Sequence, residues 1–229
     1  LLLTIDTLRR DVMGCYGNDQ NLSPFIDSVA KEGMLFTNHY TAAPYTQASF
    51  PAILTGSYYF DYPTVKNKLA PERTLVSEVV KRSGVVTAGY HSNPYLCSFF
   101  GWNRGWDSFY DSMDDQVTPM SPYIRGDVLN KKVENWLGNY KLMHGDKPFF
   151  LWVHYMDVHE PYIPSQENIE KVDPSLKITD DEMFALFKDV VLARDASKPE
   201  TVELLHKLYK AHVIEIDNNT RALFDSLKK

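Results

Sequence analysis

The stretch Phe149-Phe150-Leu151-Trp152-Val153, preceded by Pro148 and followed by His154-Tyr155-Met156-Asp157-Val158-His159-Glu160-Pro161-Tyr162, decides the fold. Its five apolar residues show no alternation of polar and apolar positions. A run of that kind is buried on both faces, as interior strands of parallel sheets are. The polar residues follow at its carboxyl end, where open α/β sheets bind ligands. Working outward, Leu1 to Ile5 is a second apolar run, ending at Asp6, and Val85 to Tyr90 is a third. Met34 to Phe36 reads as a further short strand.

Helical patterns separate these runs. Ser23-Pro24 opens a helix through Ile26, Val29 and Ala30 that Gly33 closes. Ser49 to Leu54 is a short helix ending at Thr55-Gly56, with Pro51 expected in its first turn, where the missing N–H costs nothing. Thr46 then lies on the turn entering that helix. Thr74 reads as the N-cap of a helix through Val80, with Gly84 as its stop. Asp127 to Tyr140 has helical spacing, and Val202 to Leu227 steps by three and four as a long amphipathic helix. Strands alternating with helices predict an α/β fold: a large, mainly parallel sheet flanked by helices on both faces. Asp157 to Pro199 is proline-dotted and acidic, with a helical pattern over Glu182 to Val191. It reads either as an insertion or lid at about 160–200 or as a solvated surface excursion.

Composition narrows the function. The 229 residues carry 24 Lys+Arg against 30 Asp+Glu, a net charge of -6, which lacks the basic footprint of a nucleic-acid partner. The 14 Tyr, 12 Phe and 4 Trp argue for a packed core over disorder. No apolar run reaches the roughly 20 residues of a transmembrane helix. Cys15 and Cys97 show neither a metal-binding pair nor a disulfide framework, and they are compatible with a reducing, cytoplasmic compartment. The chain opens without Met inside a buried run and stops in a helical pattern, so it is expected to be the N-terminal portion of one longer catalytic domain.

Four constellations can carry chemistry. Asp6, at the carboxyl end of a strand, is a natural ligand for a divalent cation, or equally a helix cap or a partner of Arg9 or Arg10. Thr46, at a helix entrance, faces the positive end of the helix dipole, an environment suited to sulfate or phosphate. Threonine is a poor nucleophile unless it is held as the alkoxide, which a metal can do, so Thr46 and Asp6 form a candidate metal pair. From spacing alone, Thr46 and Ser49 read first as capping hydroxyls. His159 can contact an anionic substrate oxygen, protonate a leaving group or ligate a metal, with Asp157 to orient it, whereas His154 reads as a core histidine. His91 and Asn93 are candidate substrate contacts at the same sheet edge, Asn93-Pro94 being also a turn signal. Arg104 is a substrate contact or a surface ion pair.

These residues, in this order, resemble the sulfatase family of the alkaline phosphatase superfamily. The resemblance rests on Leu3-Thr4-Ile5-Asp6-Thr7-Leu8-Arg9 with Gly14-Cys15-Tyr16-Gly17, on Ser23 to Asp27 with Ala30 to Gly33, and on Ile53-Leu54-Thr55-Gly56. Phe100 to Asp107 and His159-Glu160-Pro161-Tyr162 add to it. It implies an alkaline-phosphatase-like fold and a hydrolase of sugar, lipid or small-molecule sulfate or phosphate esters, dependent on a divalent metal (Zn, Mn, Ca or Mg). It also implies Asp6 as a metal ligand, Thr46 at the nucleophile position and His159 on the ester's charged oxygens. Sulfatases carry Cys or Ser in Cys/Ser-x-Pro-Ser-Arg, the first residue becoming formylglycine. Here the frame reads Thr46-Gln47-Ala48-Ser49-Phe50, so no formylglycine is expected, and superfamily members with a threonine nucleophile act on phosphoesters. The family's later Asp-His-Gly metal segment is absent from these 229 residues. The rivals are a sulfatase that uses Thr46 directly and a catalytically inactive module that binds anionic ligands.

Overall fold

The computed structural model describes residues 1–63, 66–192 and 198–228. In chain order the elements are β1 (Leu2–Ile5), α1 (Pro24–Glu32), α2 (Thr46–Thr55), α3 (Val76–Arg82), β2 (Val86–His91), β3 (Ser108–Tyr110), α4 (Gly126–His144), β4 (Phe149–Tyr155), α5 (Gln166–Val172), α6 (Asp180–Leu186) and α7 (Pro199–Leu227). Four strands form one sheet in the order β1-β4-β2-β3. β2 runs parallel to β4, from Val86 opposite Phe149 to His91 opposite His154, and parallel to β3. The α/β class with a parallel sheet is as the sequence predicts. The chain divides into two compact units, Leu1–Thr4 with Asn38–Gln116 and Tyr123–Tyr155, and Ile5–Thr37 with Val117–Pro122 and Met156–Lys229.

In the first unit the pleat sorts side chains onto two faces. Phe150, Trp152 and His154 share one face of β4, across from Thr87, Gly89 and His91 of β2. Trp106 stacks between Phe150 (5.7 Å, 11°) and Trp152 (5.7 Å, 23°). A Cβ at Gly89 would sit 3.1 Å from the Trp106 ring, so only glycine admits that approach without displacement. Phe50 and Leu54 of α2 complete this core together with Leu75, Leu96 and Trp102. On the opposite face Tyr90 meets Trp136 of α4 (6.4 Å), and Tyr155 donates to Asn130 of the same helix. Burying an aromatic of this kind removes roughly 150–250 Å² from water, which makes the two layers the main source of the unit's stability.

The second unit is organised on α7, whose Leu208, Val213, Ile216 and Leu223 are fully buried. Its Asp217 carboxylate accepts from Phe25 N (3.0 Å) and Ile26 N (2.8 Å), capping the amino end of α1 from a distant helix. Burial raises the Asp217 pKa above the usual carboxylate value. Ile169 and Met183 pack with Leu208 and Ala211, so the acidic 157–199 stretch contributes to a hydrophobic core. Within that stretch, residues 193–197 lie outside the described residues.

Several local expectations are corrected. Met34–Phe36 is not a strand: Met34 and Phe36 are 79% and 61% exposed. The helix expected from Ser49 begins at Thr46, with Ala48 N and Ser49 N both donating to Tyr45 O. Pro51 is therefore interior. Its cost of roughly 3 kcal/mol is carried by the burial of Ala48, Phe50 and Leu54 beside it. Thr74 is not the cap of α3, whose first turn is closed by the Glu78 carboxylate accepting from Leu75 N (2.7 Å). The helix expected over Glu182–Val191 starts earlier, behind a Thr179–Glu182 capping box, and continues past Leu186 as a π turn. The three-residue β3 was not legible in the sequence.

Candidate active site

Within the first unit, Thr46 and Asn93 are brought together. Thr46 is the first residue of the ten-residue α2, with its half-buried hydroxyl at the positive end of the helix dipole. Asn93 follows β2, and Ser92 N continues the ladder by donating to His154 O (3.1 Å). The Asn93 amide donates from Nδ2 to Thr46 Oγ1 (3.3 Å), while its Oδ1 accepts from Tyr95 N (2.9 Å). The side-chain oxygen thus fixes the turn and the nitrogen is left to face the hydroxyl. One geometry thus serves both the turn and the contact with Thr46.

His91 and His154 lie one layer beneath. His91 is fully buried and stacks on Trp152 (6.0 Å, 18°), with no hydrogen-bond partner for either ring nitrogen among the described residues. Burial, together with the neighbouring His154, pushes its pKa down to about 3. His91 is thus packed in the core beneath Asn93, with burial disfavouring its charged form. His154 is buried as well; its Nδ1 is 2.9 Å from Thr4 Oγ1, which also accepts from Trp152 Nε1 (3.1 Å). Thr4 thereby couples β1 to β4 through side chains.

Arg104 is anchored at the other end of β2. Its guanidinium donates to Pro71 O (2.9 Å) and Arg73 O (2.7 Å), and the next residue, Gly105, accepts from Thr87 Oγ1 (2.9 Å). Thr87 is at the amino end of β2, six residues or roughly 20 Å from Asn93 at 3.3 Å per residue. Arg104 pins loops at that end and does not join Thr46. Trp102 and Trp106 are core residues, and Tyr45 is half exposed.

In the second unit, Asp6 and His159 each stand one residue from a single hydrogen bond, Thr7 Oγ1 to Val158 O (2.9 Å). Thr7 has φ +53, an unfavourable backbone for a β-branched residue. It is held there by that bond and by Tyr209, whose hydroxyl donates to Thr7 O (2.9 Å) and accepts from Arg9 N (2.8 Å). Strain fixed by surrounding contacts is a mark of functional segments. Asp157 Oδ1 accepts from Asn219 (2.9 Å). Glu160 stands at His159 Nδ1, through its carbonyl (3.0 Å) and its carboxylate (3.1 Å). A proton on Nδ1 leaves Nε2 for substrate chemistry. Glu160, Thr7 and Tyr209 were missed by the sequence reading. Only the adjacency of Glu160 to His159 could have signalled one of them.

Among the described residues, no group of three or more His, Cys, Asp or Glu is arranged to hold a metal ion, so they do not by themselves supply a full donor set. No helix among them is long and apolar enough to cross a membrane.

Comparisons with known proteins agree with this architecture. The Sulfatase family profile matches residues 1–229. The chain is similar to the ulvan-active sulfatase of Formosa agariphila, 28% identical over 68% of this chain and 32% of that protein. It is similar to the human N-acetylgalactosamine-6-sulfatase, at 26% identity over 61% of this chain and 30% of that protein. The chain thus spans about a third of the length of these curated relatives. Among solved structures, the phosphonate monoester hydrolase of Agrobacterium radiobacter superposes with a TM-score of 0.72 at 15% identity, over 99% of this chain and 58% of that one. BT4656 in complex with D-glucosamine-2-N,6-O-disulfate gives 0.75 at 15% identity, over 99% and 61%.

Proposed function

The chain belongs to the sulfatase family, and from that premise we propose that the protein is an ester hydrolase in which Thr46 is the nucleophile. The observation carrying this reading is the Thr46 hydroxyl at the start of α2, with the Asn93 amide on it at 3.3 Å. The Thr46 hydroxyl passes its proton to water and its oxygen attacks the sulfur or phosphorus in line. The new O–S or O–P bond forms as the bond to the leaving oxygen breaks, and that oxygen takes a proton. Water then cleaves the covalent intermediate. The helix dipole and the Asn93 N–H stabilise negative charge gathering on the transferred group. His159, with Nδ1 held by Glu160, is the proposed proton donor to the leaving oxygen. On the family resemblance alone, Asp6 and Thr46 are the proposed ligands of a divalent cation.

The names of the relatives favour sulfate esters of sugars, and they favour an enzyme over an inactive anion-binding module. Thr46 itself favours phosphoesters. The position held by arginine in the formylglycine motif is Phe50, whose ring is buried with centroids 4.8 Å from His154 and 5.9 Å from Trp152, so it serves the core and supplies no cation beside Thr46. A panel of aryl sulfate, phosphate monoester and phosphodiester, assayed on the full-length protein with each candidate metal, tests the reading. Preference for a phosphoester supports it. Preference for sulfate keeps the enzyme and removes the phosphoester assignment. Binding of all three without turnover removes the enzyme.

A further inference from the structure

A cavity of about 620 Å³ opens in the first unit immediately after Asn93, walled by Pro94, Tyr95, Phe99, Phe100 and Met113. We infer that this cavity is the seat of the substrate's leaving group, and that it selects an uncharged aryl group or a flat apolar group of similar size. The inference rests on the proposed hydrolase reading and adds its specificity.

Three observations carry it. The first is position. Asn93 donates from Nδ2 to Thr46 and accepts at Oδ1 from the backbone N–H of Tyr95, a lining residue, so one side chain links the proposed nucleophile to the segment that walls the cavity. The second is chemistry. The walls are aromatic or aliphatic, and the charged lining residues are both carboxylates, Asp111 and Asp114. The Lys68 ammonium, 4.4 Å from the Phe99 ring centroid, is not among the lining residues. Carboxylates disfavour the anionic end of the ester there, so the charged oxygens face Thr46 and the uncharged end enters the cavity. The third is preorganisation. Asp111 is 8% exposed and accepts from Ser98 N (2.7 Å), from Ser98 Oγ and from Met113 N (3.1 Å), tying the two sides of the cavity together. Burial opposes its ionisation, yet these bonds keep its pKa below the ordinary value. A volume of this size with aromatic walls and few polar groups is typical of small-molecule sites.

The test uses the full-length protein and the variants Met113→Asp and Phe99→Asp. Both residues are more than 60% exposed, so both variants are expected to fold. Hydrolysis of 2-naphthyl and methyl esters of the same oxyanion is compared, each variant against the native protein so that intrinsic reactivity cancels. Binding of 2-naphthol is followed separately by fluorescence. The expected result is a fall of about 10-fold or more in kcat/KM for the naphthyl ester, mainly in KM, with the methyl ester within about 2-fold and weaker naphthol binding. Equal effects on both esters, or none, overturn the inference while leaving the hydrolase standing. So does a cavity that binds no naphthol because the rest of the protein fills it. If no ester is turned over but naphthol binding is lost in both variants, the hydrolase reading fails and the leaving-group assignment falls with it, leaving only an aryl-binding cavity.

Discussion

Replacing Asn93 by aspartate or by alanine separates its two duties. Asn93 is 2% exposed, with Oδ1 on Tyr95 N and Nδ2 on Thr46 Oγ1. Asn93→Asp keeps the acceptor for Tyr95 and places a carboxylate oxygen where the N–H pointed at Thr46. A reacting group bound by Thr46 carries negative charge about 5 Å from that carboxylate. At an effective dielectric of about 20, two unit charges at that distance repel by about 3 kcal/mol, or roughly 200-fold in rate. The fold loses little, because the turn is still capped. Asn93→Ala loses both bonds: about 1 kcal/mol for the cap and about 1 for the amide contact, a drop of a few degrees in Tm. It introduces no repulsion, so its kcat/KM falls less than that of the aspartate variant. The assay is steady-state hydrolysis of the best ester by the full-length protein, with thermal melts in parallel. An aspartate variant within about 3-fold of native activity refutes the reasoning, as does an alanine variant that is more stable than the aspartate one.

Further expectations follow from the same contacts. The depressed pKa of His91, about 3 in the fold against an ordinary value of about 6.5, means that the unfolded chain takes up its proton first as pH falls. The stability tied to His91 is therefore present above about pH 6.5 and lost towards pH 3, at up to about 1.4 kcal/mol per pH unit. His91→Phe keeps a ring against Trp152 and is expected to reduce the fall in Tm between about pH 6.5 and 4.5, with the side chains of His154 and Asp111 left beside it; an unchanged pH profile counts against this. Gly105→Ala is expected to be severe, because its Cβ would lie 2.4 Å from Glu78 N at φ +75. Gly17→Ala, at φ +102 with open space around it, should cost only about 1 kcal/mol in the same melts. Tyr209→Phe frees Thr7 and Arg9 from the hydroxyl that joins them and is expected to lower stability by about 1–3 kcal/mol. If Asp6 ligates a metal, that variant also weakens metal affinity by about 10-fold by titration, and unchanged affinity separates the clamp from the metal.

The sequence made the doubly buried strand at 149–155 legible because its pattern is a property of the strand alone. Asn93 could be placed at the sheet edge for the same reason, and Thr46 at the entrance of a helix. Their contact could not be read, because it depends on where α2 begins. Pro51 argued for a late start, and packing by Phe50 and Leu54 outweighed that local rule. His91 carried the right residue type in the right place, but its burial comes from Trp152 and Phe109, which are far from it in sequence. The partners of Arg104 were equally hidden: the carbonyls it holds belong to residues 71 and 73. Tyr209 reaches Thr7 across 202 residues, a pairing that no local pattern encodes.

The most direct test of Thr46 as nucleophile is steady-state turnover of the full-length protein against its Thr46→Ala variant, on 4-nitrophenyl phosphate and 4-nitrophenyl sulfate in metal-supplemented buffer. The account predicts a loss of about 10³-fold or more on whichever ester the native protein prefers, with the fold intact by melting. Turnover that survives the substitution within a few-fold contradicts it.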